Sequence, residues 1–374
     1  MIRIARIEPL VYRVPVEAPV VTSFGMMRDR PALFVRVIDE DGAEGWGEGW
    51  CNFPSVGAEH RARLITETMA PLVIGKEWEK PSDVFHELTA RTEVLAIQSG
   101  EPGPVAQAIA GIDIALWDLA ARRAGLPLHR FLGGEAGGRI PVYASGINSD
   151  APEKIAARKH DEGYRRFKLK VGFGRAKDLR NLEALRGMFG AETPLMIDAN
   201  QAWDIETAAE MAKACAAFAP VWLEEPVRAD VPVAAWTDLA RRSSIPLAAG
   251  ENIRGEAAFD AAITGMNLRY LQPDIGKWGG LTACLAVCRK AVDAGLIYCP
   301  HWLGGGIGLV ASLHLLAAIG GGGMLEVDSN PNPLRESIFG QLGSIEDGAV
   351  ALPDGPGLGV LPPLDDFERY RVRL

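Results

Sequence analysis

Eight short apolar runs recur between residues 140 and 329, and this recurrence limits the fold more than any other feature. They are IPVYAS, RFKLKV, PLMIDA, VWLEEP, PLAAGE, RYLQPD, LIYCPH and MLEVDS. Amphipathic stretches such as IETAAEMAKACAAF and LTACLAVCRKAVDAG separate them. Repeated βα units mean a parallel sheet. About eight of them in roughly 190 residues fit a closed (β/α) barrel.

The chain before them has another texture. IRIARIEPLVYRV and ALFVRVIDEDGAEGWGE alternate like strands, with DEDG as a hairpin turn. PVAQAIAGIDIALWDLAARRAG keeps a helical stripe until Gly125 and Pro127 stop it. Residues 1–135 are therefore expected to form an α+β unit, 136–340 the barrel, and 341–374 a turn-rich return packing on the first unit. With 374 residues, 48% hydrophobic, the chain has room for one large domain and a smaller one.

Composition excludes several functions. A net charge of −9 with no Lys/Arg block argues against nucleic acid. No run of about 18 apolar residues suggests a membrane span, and the N-terminus lacks a signal-peptide core. Five scattered cysteines (51, 215, 284, 288, 299) point to reduced thiols in a cytoplasm. Cys284 and Cys288, four apart in a helical pattern, are expected to be core.

Seven of the eight runs end in a polar residue: Lys170, Asp198, Glu224, Glu251, Asp274, His301 and Glu326. The steps are 28, 26, 27, 23, 27 and 25 residues, about one βα unit each. Each residue should sit at the C-terminal end of successive strands, the face where barrel active sites lie. One acidic residue there is an ordinary helix cap; seven in phase are not explained that way. Asp198, Glu224 and Glu251, from adjacent strands, must bind a cation or stay protonated. Oxygen ligands without Cys or His suit Mg²⁺. Glu225 is assigned a supporting place beside Glu224.

RFKLKV puts Lys168 and Lys170 on one strand face, since side chains alternate. An exposed face would explain them. Beside a cation, nearby positive charge should lower their pKa and free an amine as base. Lys170, nearer the strand end, is the expected base. Lys168, deeper, would depress that pKa or hold a substrate oxygen. Asp274 can orient His301 and raise its basicity.

These residues together resemble the enolase superfamily, in its mandelate racemase subgroup. The matching motifs are Lys168-Leu169-Lys170, DANQAW with Asp198 and Asn200, LEEP, GEN, QPDIGKWGG, CPH and MLEVD. The resemblance implies an α/β chain: a modified (β/α)7β TIM-type barrel with an N-terminal α+β capping domain. It implies one Mg²⁺ per subunit on Asp198, Glu224 and Glu251, a small carboxylate substrate and a homo-oligomer. A base removes the α-proton, and Glu326 stabilises the enediolate as an electrophilic donor. The muconate-lactonizing branch carries a lysine where this chain has Asp274. Lys277 resembles an accessory lysine.

The second step divides the subgroup. Reprotonation on the opposite face racemises or epimerises. Loss of a β-hydroxyl, with His301 as acid, dehydrates an acid sugar to a 2-keto-3-deoxy acid, and this outcome is favoured. Loops TSFGMMRDR (22–30) and GWCNFPS (49–55) fall where a lid belongs. Their Phe24, Met26, Met27, Trp50 and Phe53 would suit a less polar 2-hydroxy acid. Arg28 or Arg30 is a candidate for a distal carboxylate, and Ser145, Asn148 and Trp302 are rim candidates. Two rivals stand outside this chemistry. Gly306-Ile307-Gly308-Leu309-Val310-Ala311 matches a dinucleotide fingerprint, suggesting an NAD-dependent dehydrogenase; close helix packing explains it better. A non-catalytic binding barrel would have decayed ligands.

Overall fold

A computed structural model describes residues 1–21, 25–135 and 137–374. Three long antiparallel strands, Ile2–Val21, Met26–Asp39 and Glu44–Gly49, open the chain. The DEDG turn closes as expected. Gly42 takes φ +81°, and the Asp39 carboxylate accepts the N–H of Asp41 (3.1 Å) and Ala43 (2.9 Å).

Alternation in Gly45-Trp46-Gly47-Glu48-Gly49 positions the whole N-terminal unit. A Cβ on Gly45 or Gly47 would lie 2.1 Å from the carbonyl of Ala115 or Gly111. Only glycine lets helix Pro102–Arg123 lie on this strand. That helix is apolar and long enough to cross a membrane, but it is largely buried as the core of this unit. Trp46 and Glu48 take the other face, and both are buried.

Eight parallel strands follow: Arg139–Ile147, Phe167–Lys170, Leu195–Asp198, Leu223–Glu224, Leu247–Ala249, Tyr270–Leu271, Ile297–Tyr298 and Leu325–Asp328. They are the eight apolar runs, and helices connect them. The eighth returns to pair with the first, Glu326 opposite Tyr143 and Asp328 opposite Ser145. The register sets Lys170 beside Asp198 and Asp198 beside Glu224. Tyr143, Met196, Trp222, Ala248 and Cys299 cluster together as an apolar floor. The final segment divides its pairing: Ala349–Ala351 joins the first barrel strand, and Arg371–Val372 joins Ile2–Val21. All five cysteines are buried and free, Cys284 and Cys288 within the core.

The glycines before helix Gly306–Ile319 serve packing. A Cβ on Gly308 would sit 2.0 Å from the Trp302 ring, and one on Gly306 2.4 Å from Ile338. Glu48 caps this helix start, its carboxyl accepting the N–H of Gly305 (2.5 Å) and Gly308 (2.9 Å) while burial, against those bonds, pushes it up to about 8. The amides a dinucleotide phosphate would need are thus held by the chain's own carboxyl.

Farther along that helix, His314 Nδ1 accepts the His129 N–H at 3.0 Å, and Nε2 faces the Leu358 carbonyl at 3.1 Å. Burial lowers His314 from 6.5 to about 3, against the Leu358 hydrogen bond and with help from His129. The fold therefore holds this imidazole neutral. Its stabilising contribution is complete above the unfolded value near 6.5 and is lost as pH falls toward 3. Urea unfolding of wild type and His314→Gln across pH 7 to 3 checks this. Wild type should lose stability more steeply, by up to about 1.4 kcal/mol per pH unit; parallel curves would contradict it.

Candidate active site

Strand geometry brings the polar residues to one end of the barrel. Lys170, Asp198 and Glu224 are the last residues of the second, third and fourth strands. Glu251, Asp274 and His301 lie just past the fifth, sixth and seventh. Glu326 differs from the expected placement: it is the second residue of its strand, and Asp328 ends it. Glu326 therefore points inward one pleat deeper, level with Tyr143.

Lys168 joins strands across the barrel. Its side chain is 1% exposed, with Nζ 2.5 Å from Glu224 Oε1, 2.7 Å from Glu326 Oε1 and 3.8 Å from Asp198 Oδ2. The ammonium lies 5.5 Å from the Tyr143 ring centre. Glu224 also accepts from Trp222 Nε1 (2.9 Å) and Gln272 Nε2 (2.7 Å). Glu326 accepts from the Ser145 hydroxyl and the Trp302 N–H (3.1 Å). Lys170, 24% exposed, reaches Asp198 Oδ2 at 2.5 Å. The Asn200 N–H holds the other Asp198 oxygen at 2.7 Å, from a backbone at φ +47°.

A second cluster surrounds Glu251. Its oxygens face Lys277 Nζ (3.0 Å), Asn252 Nδ2 (2.9 Å) and His301 Nε2 (2.8 Å). Asn252 also donates to Glu225, which burial and then Glu251 push well above the usual carboxylate range. His301 Nδ1 is 2.6 Å from Asp274 Oδ2, while Asp274 Oδ1 accepts the N–H groups of Gly276 and Lys277. Lys277 also stands 4.9 Å from the Trp50 ring centre.

Charge follows this arrangement. Burial alone would lower His301, but Glu251 and Glu326, with hydrogen bonds that its ring donates to Asp274 and Glu251, raise it to about 10. It is an imidazolium at neutral pH. Burial pulls Lys170 down, yet Asp198 outweighs it and the net direction is up. Without a cation the nearest charges are carboxylates; the lowering expected from the sequence is that of a site holding a cation. Burial raises Glu326, but Lys168 and His301 prevail and hold it below its usual value. Ser145, Lys168 and Trp302 all donate to it, so Glu326 is an acceptor here; the electrophilic role the resemblance implies belongs to the site with substrate bound. Burial, with Asp198 and Glu326 beyond the opposing Lys168, puts Glu224 at about 7.

Six buried acids, Asp198, Glu224, Glu225, Glu251, Asp274 and Glu326, meet three lysines and one histidine. That surplus suits a divalent cation on Asp198, Glu224 and Glu251. Among the described residues no three such groups are already drawn to ligand spacing; lysine and imidazole nitrogens hold their oxygens.

The mouth is lined by Ser145, Asn148, Lys170, Asn200, His301 and Glu326, with Trp50, Phe53 and Leu303 as its apolar side. Three rim expectations change. Trp302 is buried on the glycines, its Nε1 donating to Gly305, and offers the site only its backbone N–H. Arg28 is exposed and outside the lining; Arg30 is buried 2.5 Å from Asp328. Met26 is half exposed and Met27 buried, so the apolar lid narrows to Trp50 and Phe53. Phe24 lies outside the described residues. The sequence reading missed Gln272, Trp222, Glu48 and Asp328. Asp328, two beyond Glu326, carries the same period-two signal as the paired lysines.

Comparison with known proteins follows this geometry. The mandelate racemase/muconate lactonizing enzyme N-terminal domain family matches residues 6–133, and the enolase C-terminal domain-like family matches 151–365. The chain is 54% identical to the solved mandelate racemase/muconate lactonizing enzyme from Bordetella bronchiseptica RB50, with TM-score 0.93 and 99% of each chain covered. It is 30% identical to the 3,6-anhydro-alpha-L-galactonate cycloisomerase of Streptomyces coelicolor, covering 98% of each. It is 28% identical to L-talarate/galactarate dehydratase of Salmonella typhimurium, solved with Mg and L-lyxarohydroxamate, with TM-score 0.87, covering 99% of this chain and 93% of that one.

Removing the Lys168 ammonium would leave Glu224 and Glu326 buried without their partner. Lys168→Met is expected to cost about 3–5 kcal/mol in urea unfolding. A loss below about 1 kcal/mol, the range of exposed pairs, would mean the carboxylates are not confined as described.

Proposed function

Because the chain belongs to the mandelate racemase/muconate lactonizing enzyme family of the enolase superfamily, we propose that it removes the proton α to a carboxylate and completes the dehydration of an acid sugar. The observation that carries this is that Lys170 and an Asp274-bonded His301 line one mouth from opposite sides of one carboxylate cluster. Lys170 ends the second strand and His301 follows the seventh, where Glu326 and Asp274 still favour the imidazolium once Glu251 is given over to a cation.

Asp198, Glu224 and Glu251 would hold one Mg²⁺ per subunit, which supplies Lewis-acid stabilisation of negative charge growing on the substrate carboxylate. With Asp198 given over to a cation, Lys170 loses the partner that raises its pKa and becomes the base. Asn200 fixes Asp198. Asp274 orients His301, whose Nε2 proton passes to the departing β-hydroxyl, so water leaves with the oxygen. Lys168 stays charged, neutralising the buried end of the site, and Glu326 holds it there. Ser145 serves first as a donor to Glu326 and stands at the mouth beside the substrate. Polar lining from Asn148 and Asn200 suits a polyhydroxy acid. The same reading includes a cytoplasmic homo-oligomer acting on a small molecule.

Epimerisation of a 2-hydroxy acid is the second reading, favoured by the Trp50–Phe53 wall, whose ring centres are 6.5 Å apart. Proton NMR in D₂O with Mg²⁺, over a panel of sugar acids and simple 2-hydroxy acids, separates the two. A 3-deoxy product is expected. Lys170→Ala should slow α-proton exchange by about 10³-fold. His301→Asn should stop product formation while exchange continues. Exchange that yields only substrate and its epimer would replace dehydration with epimerisation.

A further inference from the structure

One wall of the mouth is held more firmly than proton transfer requires. It is built from the ends of the first and eighth barrel strands. Asp328, 1% exposed, receives Arg30 Nη2 at 2.5 Å and Arg335 Nη1 at 3.1 Å. The two arginines come from the N-terminal sheet and from helix Pro333–Phe339. Paired from both sides, this carboxylate is a fixed acceptor. Its Oδ1 takes the Asn330 N–H at 3.0 Å and Asn330 Nδ2 at 2.7 Å.

Asn330 is thereby oriented. Its Nδ2 also donates to the Gly146 carbonyl at 3.2 Å, so two acceptors claim the amide nitrogen. The Oδ1 must then face the other way, where it accepts Asn148 Nδ2 at 3.2 Å. This approach depends on Gly146. It has φ +66°, and a Cβ there would lie 2.8 Å from Asp328 Oδ1 and 2.9 Å from Asn330 Nδ2. The pairing of the first strand with the second shifts register between Ala144 and Ile147, around this glycine.

The chain of bonds ends on Asn148, half-buried at the mouth. Among the described residues no hydrogen bond claims its Oδ1, and one of its two amide hydrogens is also left over. A hydroxyl group both donates and accepts. An oriented amide with one acceptor and one donor open matches it, and a carboxylate or an apolar chain does not.

We propose that Asn148, seated by Asn330, Asp328 and the two arginines, is the specificity-determining contact for substrate hydroxyls remote from the carboxylate. This rests on the acid-sugar reading. Asn330 and Asp328 are positioning residues. A site built to bond a hydroxyl discriminates strongly against analogues lacking it, less where the contact is half exposed.

The test measures binding, so it does not need turnover. Lys170→Ala with Mg²⁺ is titrated calorimetrically with the C5 and C6 aldonates as long acids and with D-glycerate as a short one. Adding Asn148→Leu is expected to lower the long-to-short affinity ratio about a hundredfold. Asn148→Asp, which keeps an acceptor, should recover part of it, and Asn148→Ser stands in should the leucine variant fail to fold. An unchanged ratio overturns the assignment, as does a Lys170→Ala protein that prefers no long acid. If wild type makes no 3-deoxy product yet the ratio falls, the dehydration reading fails and the hydroxyl contact stands.

Discussion

Confinement of like charge is the constraint on which the rest depends. Three neighbouring strands each deliver a carboxylate to one end of the barrel, and burial there raises the free energy of every ionised form. Lys168 is the principal answer. Its ammonium bridges Glu224 on the fourth strand and Glu326 on the eighth, which lie across the barrel from each other. Such a bridge requires a long side chain rooted deep in the second strand. An apolar floor of Tyr143, Trp222 and Met196 keeps water away from it. The Trp222 indole then turns upward to bond Glu224, so the floor also supports the site's chemistry.

The N-terminal unit meets the barrel on similar terms. Its Glu48 carboxyl enters the start of helix Gly306–Ile319, and its guanidinium Arg30 enters the cluster around Asp328. Both groups are buried, one a carboxyl accepting backbone amides and the other a cation on a carboxylate. Removing Glu48 would leave buried amides unpaired and removing Asp328 or Arg30 a buried charge, so the two units hold each other in one arrangement. The glycines of Gly45-Trp46-Gly47-Glu48-Gly49 make this possible by letting the helix Pro102–Arg123 close against one face while Glu48 projects from the other.

Much of this was legible from the residues. Period-two alternation paired Lys168 with Lys170, and near-constant spacing from Lys170 to Glu326 placed seven residues at one end. What escaped has particular physical causes. The direct ion pair of Lys170 with Asp198 was not foreseen, because it is a fact of distance that spacing does not carry. Arg28 and Arg30 share a face by alternation, but the pairing of Met26–Asp39 with Ile2–Val21 shifts register between Asp29 and Met27. Arg28 sits at that irregularity and turns to solvent. Trp302 follows His301 directly, yet three glycines around its ring draw it into the core. Glu326 was placed one pleat too high because its run ends in two acids of the same phase.

The central claim is that Asp198, Glu224 and Glu251 form a cation site, with Lys170 now paired to Asp198 in the cation's place. Calorimetric titration of Mg²⁺ into the protein, in two buffers of different ionisation enthalpy, tests it most directly. One ion per chain is expected, with proton release that falls in Lys170→Met, Glu224 and His301 supplying the rest, and binding that weakens sharply in Glu251→Gln. Absence of Mg²⁺ binding, or binding indifferent to Glu251→Gln, would contradict it.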